Sequence, residues 1–227
     1  MTATVPTTVR EPETRPAAPG LVVPAVVTVV LFVAGVIATA ALGDGLYASP
    51  FAERASDIAA KYASHATVIK VVAVLEFASA LALVVFTAAL WTRLRATAAA
   101  GVAAAGGVLA ALFMALNALA QWPLSYESVS SSDSVRHALE FLYFGLGGFA
   151  HVAALGLLVG GTSLAATRSF PRWFAIASLV LAAVSLLSAV TIVAEGAAVL
   201  LPLGRFLTLV WLVAVSVLLR GRHSEHA

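Results

Sequence analysis

The chain contains no cysteine and few charged side chains. The absence of cysteine excludes disulfides, thiolate catalysis, and zinc or iron–sulfur sites built on cysteine. Charged residues make up only 11% and hydrophobic residues 61% of the 227 positions, whereas a soluble domain carries roughly 25% charged residues. The core of a soluble domain cannot bury so much apolar surface, but lipid can solvate it. The composition therefore predicts an integral membrane protein.

Six apolar runs are long enough to cross a bilayer, because a spanning helix needs about 20 mostly apolar residues. The runs lack strict alternation, which favours helices over barrel strands. The predicted fold is an all-α bundle of six transmembrane helices that occupies residues 21–219. The predicted spans are Leu21–Gly43, Thr67–Trp91, Ala96–Ala120, His137–Gly161, Trp173–Glu195 and Leu200–Leu219.

The distribution of basic residues among the loops predicts the orientation of the bundle. One side carries eight arginines, namely Arg10, Arg15, Arg93, Arg95, Arg168, Arg172, Arg220 and Arg222. The other side carries four basic residues, with Lys70 just inside the second span; the four are Arg54, Lys61, Arg136 and Arg205. This asymmetry places both termini in the cytoplasm and predicts a multi-pass protein of the cell's inner (cytoplasmic) membrane. It also accounts for the net charge of +2 without a nucleic-acid partner.

Three segments are predicted to lie outside the lipid. Residues 1–20 are rich in Thr, Pro, Glu and Arg and predict a disordered cytoplasmic tail, and residues 220–227 form a second, short tail. Between the first two spans, "SPFAERASDIAAKYASH" has apolar residues at helical spacing. This pattern predicts a short amphipathic helix on the outer side, with a plain lid-like connector as the alternative. Cleavage after Ala38-Thr39-Ala40 as a signal peptide is disfavoured, because the apolar run is too long.

Two ionisable residues fall deep inside predicted spans. Glu76 lies about 14 Å along the second span, where a charge costs at least about 2.5–3.5 kcal/mol on insertion scales. His151 lies at a similar depth in the fourth span, within about 7 Å, and is the predicted partner of Glu76. On the same helix, Glu140, Phe144, Gly147 and His151 share one face.

Nearer the outer surface, the sequence predicts a second polar group. It comprises His65, Lys70, Asn117, Gln121, His137, Glu140, Glu195 and Arg205. Together the two groups predict an outward-facing polar vestibule with Glu76 and His151 at its floor. The candidate ligand-binding residues are Glu76, Asn117, Glu140, His151 and Arg205, and the first candidates for catalysis are Glu76, His151 and Glu140.

Each of these residues also has a structural interpretation. Glu76 can be an acid bonded to Asn117 that serves assembly alone, and His151 can be a satisfied interior histidine. Arg205 can pair with Glu195 or neutralise Glu140. The His137-x-x-Glu140 spacing suits a metal, but without a second pair or any cysteine a metal site is disfavoured. No cofactor is predicted.

The C-terminal half carries loose motifs shared with other membrane proteins. They are an Arg-Ser…Pro-Arg-Trp turn and a late Pro-x-Gly-Arg-Phe followed by a Trp-containing helix. From Phe144 to Leu219 the chain resembles uncharacterised polytopic membrane proteins of actinobacteria, similar to domain-of-unknown-function family 4386. The resemblance implies a helical membrane bundle and carries over no activity and no site residues.

Three functions are compatible with these features. The first is binding or transport of a small molecule through the vestibule, although the sequence shows neither an inverted repeat nor a pair of Gly- or Pro-broken helices. The second is a membrane-embedded enzyme acting on a lipid or isoprenoid substrate, with a carboxylate as general acid. The third is a structural or accessory subunit. The predicted partners are the lipid bilayer and a small or lipid-like molecule, and the sequence carries no signal for an oligomeric state.

Overall fold

The computed structural model describes residues 20–42, 61–94 and 97–220, and all regular structure within them is helical. Six helical stretches of these described residues are long and apolar enough to cross a membrane, as the sequence predicted. The amphipathic helix predicted for residues 49–65 falls largely on positions outside the described residues, as do most of the two tails.

The described residues form eight α-helices, which shorter 3₁₀ and π-helical segments extend or connect. They are α1 (Val22–Leu42), α2 (Ala66–Leu94), α3 (Ala98–Gln121), α4 (Glu127–Ser130), α5 (Asp133–Gly145), α6 (His151–Ala165), α7 (Arg172–Leu187) and α8 (Leu200–Arg220). A 3₁₀ turn, Trp122–Ser125, extends α3, and a π-helical segment, Leu146–Ala150, joins α5 to α6. Two further 3₁₀ turns, Ser188–Ile192 and Glu195–Val199, connect α7 to α8.

The centre of the bundle is α3, which packs between α2 and α6. On one side α1 covers α2, on the other α7 covers α6, and α8 contacts both α7 and α1. Small residues allow the central contact: a Cβ added to Gly106 would lie 2.5 Å from the Leu158 nitrogen. A Cβ added to Gly161 would lie 2.5 Å from the Ala103 nitrogen. Close backbone approach of this kind is typical of helix packing in membranes.

The two ends of the bundle differ in their side chains. Gly20, Arg93 and Arg220 line one groove, and Arg93 donates a hydrogen bond to the Leu219 carbonyl at 3.2 Å. The first span therefore begins, and the last one ends, at the same end of the bundle, as an even number of spans requires. We call this the Arg93 end and the opposite one, which carries Lys70 and Trp122, the Lys70 end. Assignment of the Arg93 end to the cytoplasm stays a prediction.

The fourth span differs most from its prediction. It extends over Asp133–Ala165 rather than His137–Gly161, and it is broken in the middle. Gly148, in the π-helical segment, has non-helical backbone angles of φ −79° and ψ −109°. The sequence showed no pair of broken helices, and the described residues contain this one interrupted span. Breaks of this kind are tolerated in a membrane when protein surrounds them, and Gly148 is buried.

Candidate functional site

Glu76 and Asn117 form a buried pair between α2 and α3. The Asn117 side-chain amide donates a hydrogen bond to the Glu76 carboxylate, with Nδ2 and Oε2 2.6 Å apart. Glu76 is 4% exposed and Asn117 is 7% exposed. The contact required by the structural interpretation of Glu76 is therefore present, and this acid has at least one polar partner.

The break in the fourth span makes room for Asn117. A Cβ added to Gly147 would lie 2.5 Å from Asn117 Oδ1 and 2.6 Å from its Cγ. Only glycine therefore lets the π-helical segment lie against this amide. Asn117 Oδ1 is buried and accepts no hydrogen bond. The Asn117 amide of α3 thus contacts two other segments. It hydrogen-bonds to Glu76 of α2 and lies against Gly147 of the broken fourth span.

His151 does not hydrogen-bond to Glu76 as the sequence predicted. Its Nδ1 lies 2.8 Å from the Ala110 carbonyl oxygen of α3, and the side chain is 2% exposed. Ala110 precedes Asn117 by seven residues, so the two polar contacts are about 10.5 Å apart along α3. The structural interpretation of His151, a satisfied interior histidine, describes this contact, and the guanidinium of Arg205 is close enough to interact with the ring electrostatically.

Glu140 lies in a second buried cluster at the Lys70 end. Neither of its carboxylate oxygens accepts a hydrogen bond, and the residue is 2% exposed. His137 Nδ1 is 3.6 Å from Oε2 and Arg136 Nε is 4.0 Å from Oε1. Both separations are longer than hydrogen bonds, and the contact with Arg136 is an ion pair. Arg136, His137 and Tyr62 therefore all face this carboxylate.

Two members of this cluster were missed in the sequence. Arg136 was counted as a loop charge, yet its side chain is fully buried, with Nη2 2.8 Å from Asp133 Oδ1. Tyr62 was assigned to the amphipathic segment, but it is buried and interacts with Tyr143 and Glu140. Burial raises the pKa of Tyr62 above its ordinary value of 10.0, and Tyr143 and Glu140 raise the pKa further. The i, i+4 spacing of Arg136 and Glu140 was the available sequence signal.

Arg205 is placed differently from both predictions made for it. Its guanidinium lies over the Phe32 ring of α1, 5.5 Å from the ring centroid. Within the described part of the chain it forms no ion pair with Glu195, which is exposed. The guanidinium beside Glu140 belongs to Arg136 instead. Arg205 therefore lies on the same side of the bundle as His151, away from its predicted carboxylate partners.

The polar contacts form a column along one face of α3. Ala110, Asn117 and Gln121 follow the i, i+7, i+11 spacing of a single helix face. Ala110 meets His151 and Asn117 meets Glu76, while the buried Gln121 Oε1, one turn nearer the Lys70 end, accepts no hydrogen bond. We call this set, together with Glu140, the polar column. It is closed to solvent, because its side chains are at most 8% exposed.

Within residues 20–42, 61–94 and 97–220, no three His, Asp or Glu side chains are grouped closely enough to hold a metal ion. His137 and Glu140, the i, i+3 pair for which a metal was disfavoured, lie 3.6 Å apart, from Nδ1 to Oε2.

No family model, curated protein or solved structure matches this chain. The likeness of the C-terminal half to actinobacterial membrane proteins stays a prediction that rests on its motifs.

Proposed function

We propose that this multi-pass protein binds a small cationic or hydrogen-bond-donating molecule in the polar column and transports it across the membrane. The observation that supports this function is a series of buried oxygens that accept no hydrogen bond. These oxygens are Gln121 Oε1 and Asn117 Oδ1, and the two oxygens of Glu140 have only the longer contacts with Arg136 and His137. Leaving a buried acceptor unsatisfied costs about 1–3 kcal/mol. A ligand that donates hydrogen bonds recovers this energy when it binds.

The chemistry of the column suggests the class of ligand. Acceptors alone do not bind anions, and a carboxylate near mid-membrane suits a cation or a proton. The break at Gly148 supplies an element that can move, because helix interruptions inside membranes line transport sites in many carriers. Opening of the fourth span at this break would connect the closed column to one side of the membrane.

An assembly role is the competing explanation for Glu76, and it has its own observation. The 2.6 Å hydrogen bond from Asn117 joins α2 to α3, as a structural strut would. Glu140 and Gln121 have no equivalent bond at the oxygens named above. We therefore assign ligand binding first to Glu140 and Gln121 and test Glu76 separately.

The decisive variant is Gln121→Met, which keeps the side-chain length and removes the buried oxygen. The full chain is reconstituted in liposomes loaded with a pH-sensitive dye, and uptake of methylammonium and of larger alkylammonium ions is recorded. We expect uptake by wild type, and a rate reduced about tenfold or more in Gln121→Met, since a hydrogen bond to a charged group contributes about 1.5–3 kcal/mol. The stability of Gln121→Met should equal or exceed that of wild type.

The matched control is Leu119→Met, which places the same residue on the lipid-facing side of α3, where Leu119 is 52% exposed. It should transport like wild type. Uptake by wild type no faster than in protein-free liposomes, or equal rates in wild type and Gln121→Met, would contradict the proposed function. A Glu76→Gln variant that loses thermal stability would assign Glu76 to assembly.

A further inference from the structure

A groove on the lipid-facing surface of α2 and α3 lies outside the polar column. Its volume is ≈ 420 Å³. The side chains that line it are mostly apolar and include Lys70, Phe77, Ala78, Leu81, Ala118 and Trp122. The depression exists because the side chains of Ala78 and Ala118 are small. Its wall is formed by Phe77 and Leu81, which are 38% and 55% exposed.

The groove has the length and lining that suit an acyl chain. Its α2 residues Lys70, Val74, Phe77 and Leu81 follow the i, i+4, i+7, i+11 spacing of one helix face. That face extends about 16.5 Å along the helix at 1.5 Å per residue. The groove thus extends from Lys70 about half of the way across a hydrocarbon core that is about 30 Å thick.

One end of the groove is basic, although it belongs to a membrane span. Lys70 is exposed and lies within the span Ala66–Leu94. Its ammonium lies over the Tyr126 ring, 4.8 Å from the centroid. Among the residues that the structure describes, no carboxylate lies within 4.0 Å of that ammonium. A basic residue near the end of a spanning helix reaches toward the lipid headgroups.

Aromatic residues place this end of the groove at the membrane surface. Trp122 lines the groove and is 46% exposed, and its ring packs edge to face on Tyr126, with the centroids 5.5 Å apart. Tryptophan and tyrosine are enriched where the hydrocarbon meets the headgroups. The apolar groove and the ammonium are thus arranged in the same order as the acyl chain and the phosphate of a phospholipid.

We propose that this groove is a binding site for one anionic phospholipid. An acyl chain lies along Phe77 and Leu81, and the phosphate of the headgroup accepts hydrogen bonds from the Lys70 ammonium. The lipid comes from the leaflet at the Lys70 end. The negative charge of this lipid is the counter-ion of Lys70, which forms no ion pair with the described protein residues. The site is independent of transport through the polar column.

The test compares two lipids that share their acyl chains, dioleoylphosphatidylglycerol and dioleoylphosphatidylcholine. The detergent-purified full chain is titrated with each lipid, and bound lipid is counted by native mass spectrometry. We expect wild type to prefer the anionic lipid about fivefold, the factor that corresponds to one basic residue near an anionic surface. Lys70→Gln should bind both lipids equally, and Ala78→Phe, which fills the groove from the lipid side, should bind neither above background.

The control is Arg172→Gln, which removes an exposed charge at the start of α7, at the Arg93 end. It should retain the wild-type preference. A preference for phosphatidylglycerol that survives in Lys70→Gln would overturn the proposal, because the charge would then act elsewhere. Wild-type lipid binding in Ala78→Phe would also overturn it and would indicate nonspecific annular lipid only.

Discussion

The two halves of α3 use opposite means to hold the same helix in the bundle. The first half, residues 98–111, has no polar side chain. Gly106 allows it to pack closely on α6, and Gly107 allows it to pack on Thr87 of α2. The second half, residues 112–121, carries Asn117 and Gln121 in the polar column. The first half is tightly packed without unsatisfied groups, whereas the second has buried oxygens without donors. The packing of the first half therefore favours stability, whereas the unsatisfied oxygens of the second half cost stability.

The strongest test of the packed half is Gly106→Ala. Its Cβ would lie 2.5 Å from the Leu158 nitrogen and 2.6 Å from Leu157 Cβ, and backbone atoms cannot yield as a flexible side chain can. We expect a loss of about 3 kcal/mol or more, at the upper end of overpacking costs. Thermal unfolding of the detergent-purified protein, followed by size-exclusion chromatography, measures this loss.

The matched control is Gly101→Ala, in the same half of the same helix. No heavy atom lies within 4 Å of a Cβ at Gly101, so we expect a gain of about 0.5–1 kcal/mol, the helix preference of alanine over glycine. If both variants shift stability in the same direction, close packing does not distinguish these positions, and the comparison between the halves fails.

In the polar half, Gly147→Ala should act through Asn117. The added Cβ would displace the amide, weaken its bond to Glu76, and cost about 1–3 kcal/mol. In an Asn117→Ala background the clash disappears, and the same substitution should cost little. A double-mutant cycle measured by thermal unfolding gives this coupling, which we expect to exceed about 0.5 kcal/mol.

Gly145→Ala is the control, since its Cβ would meet only the tip of the Phe149 ring, at 3.2 Å. Additive losses would show that Gly147 and Asn117 are independent.

The smallest expected effect concerns Tyr62 and depends on pH. Its raised pKa means that the folded protein keeps the neutral phenol at pH values where the unfolded chain ionises. The stability from this burial is complete below pH 10 and is lost as the pH rises above 10, by up to about 1.4 kcal/mol per pH unit. Tyr62→Phe should not show this loss of stability above pH 10. At neutral pH its free energy of unfolding should differ from that of wild type by about 1 kcal/mol. Unfolding temperatures between about pH 8 and pH 11.5 measure the difference. Parallel curves for the two proteins above pH 10 would mean that Tyr62 ionises equally in the folded and unfolded states.

Parts of the candidate site were predictable because they depend on local composition. Glu76 and Glu140 are conspicuous in apolar segments, and the structure buries both. The contact between Glu76 and Asn117 was one of the alternatives. The pairing of Glu76 with His151 was wrong, since depth along two helices fixes neither their rotation nor their offset. Arg136 was missed because a residue beside a predicted loop was assumed to be solvated, while the fourth span actually begins at Asp133.

The membrane class and the six spans follow from the sequence, because length and apolarity are properties of each segment alone. Lipid solvates each apolar helix independently of its neighbours. The partners of the polar residues, by contrast, depend on how the helices pack. The break at Gly148, the place of Asn117 against Gly147, and the choice of Ala110 as the partner of His151 depend on the rotation of neighbouring helices. That rotation is set by contacts between residues far apart in the chain, such as Gly106 with Leu158, and no local pattern encodes it.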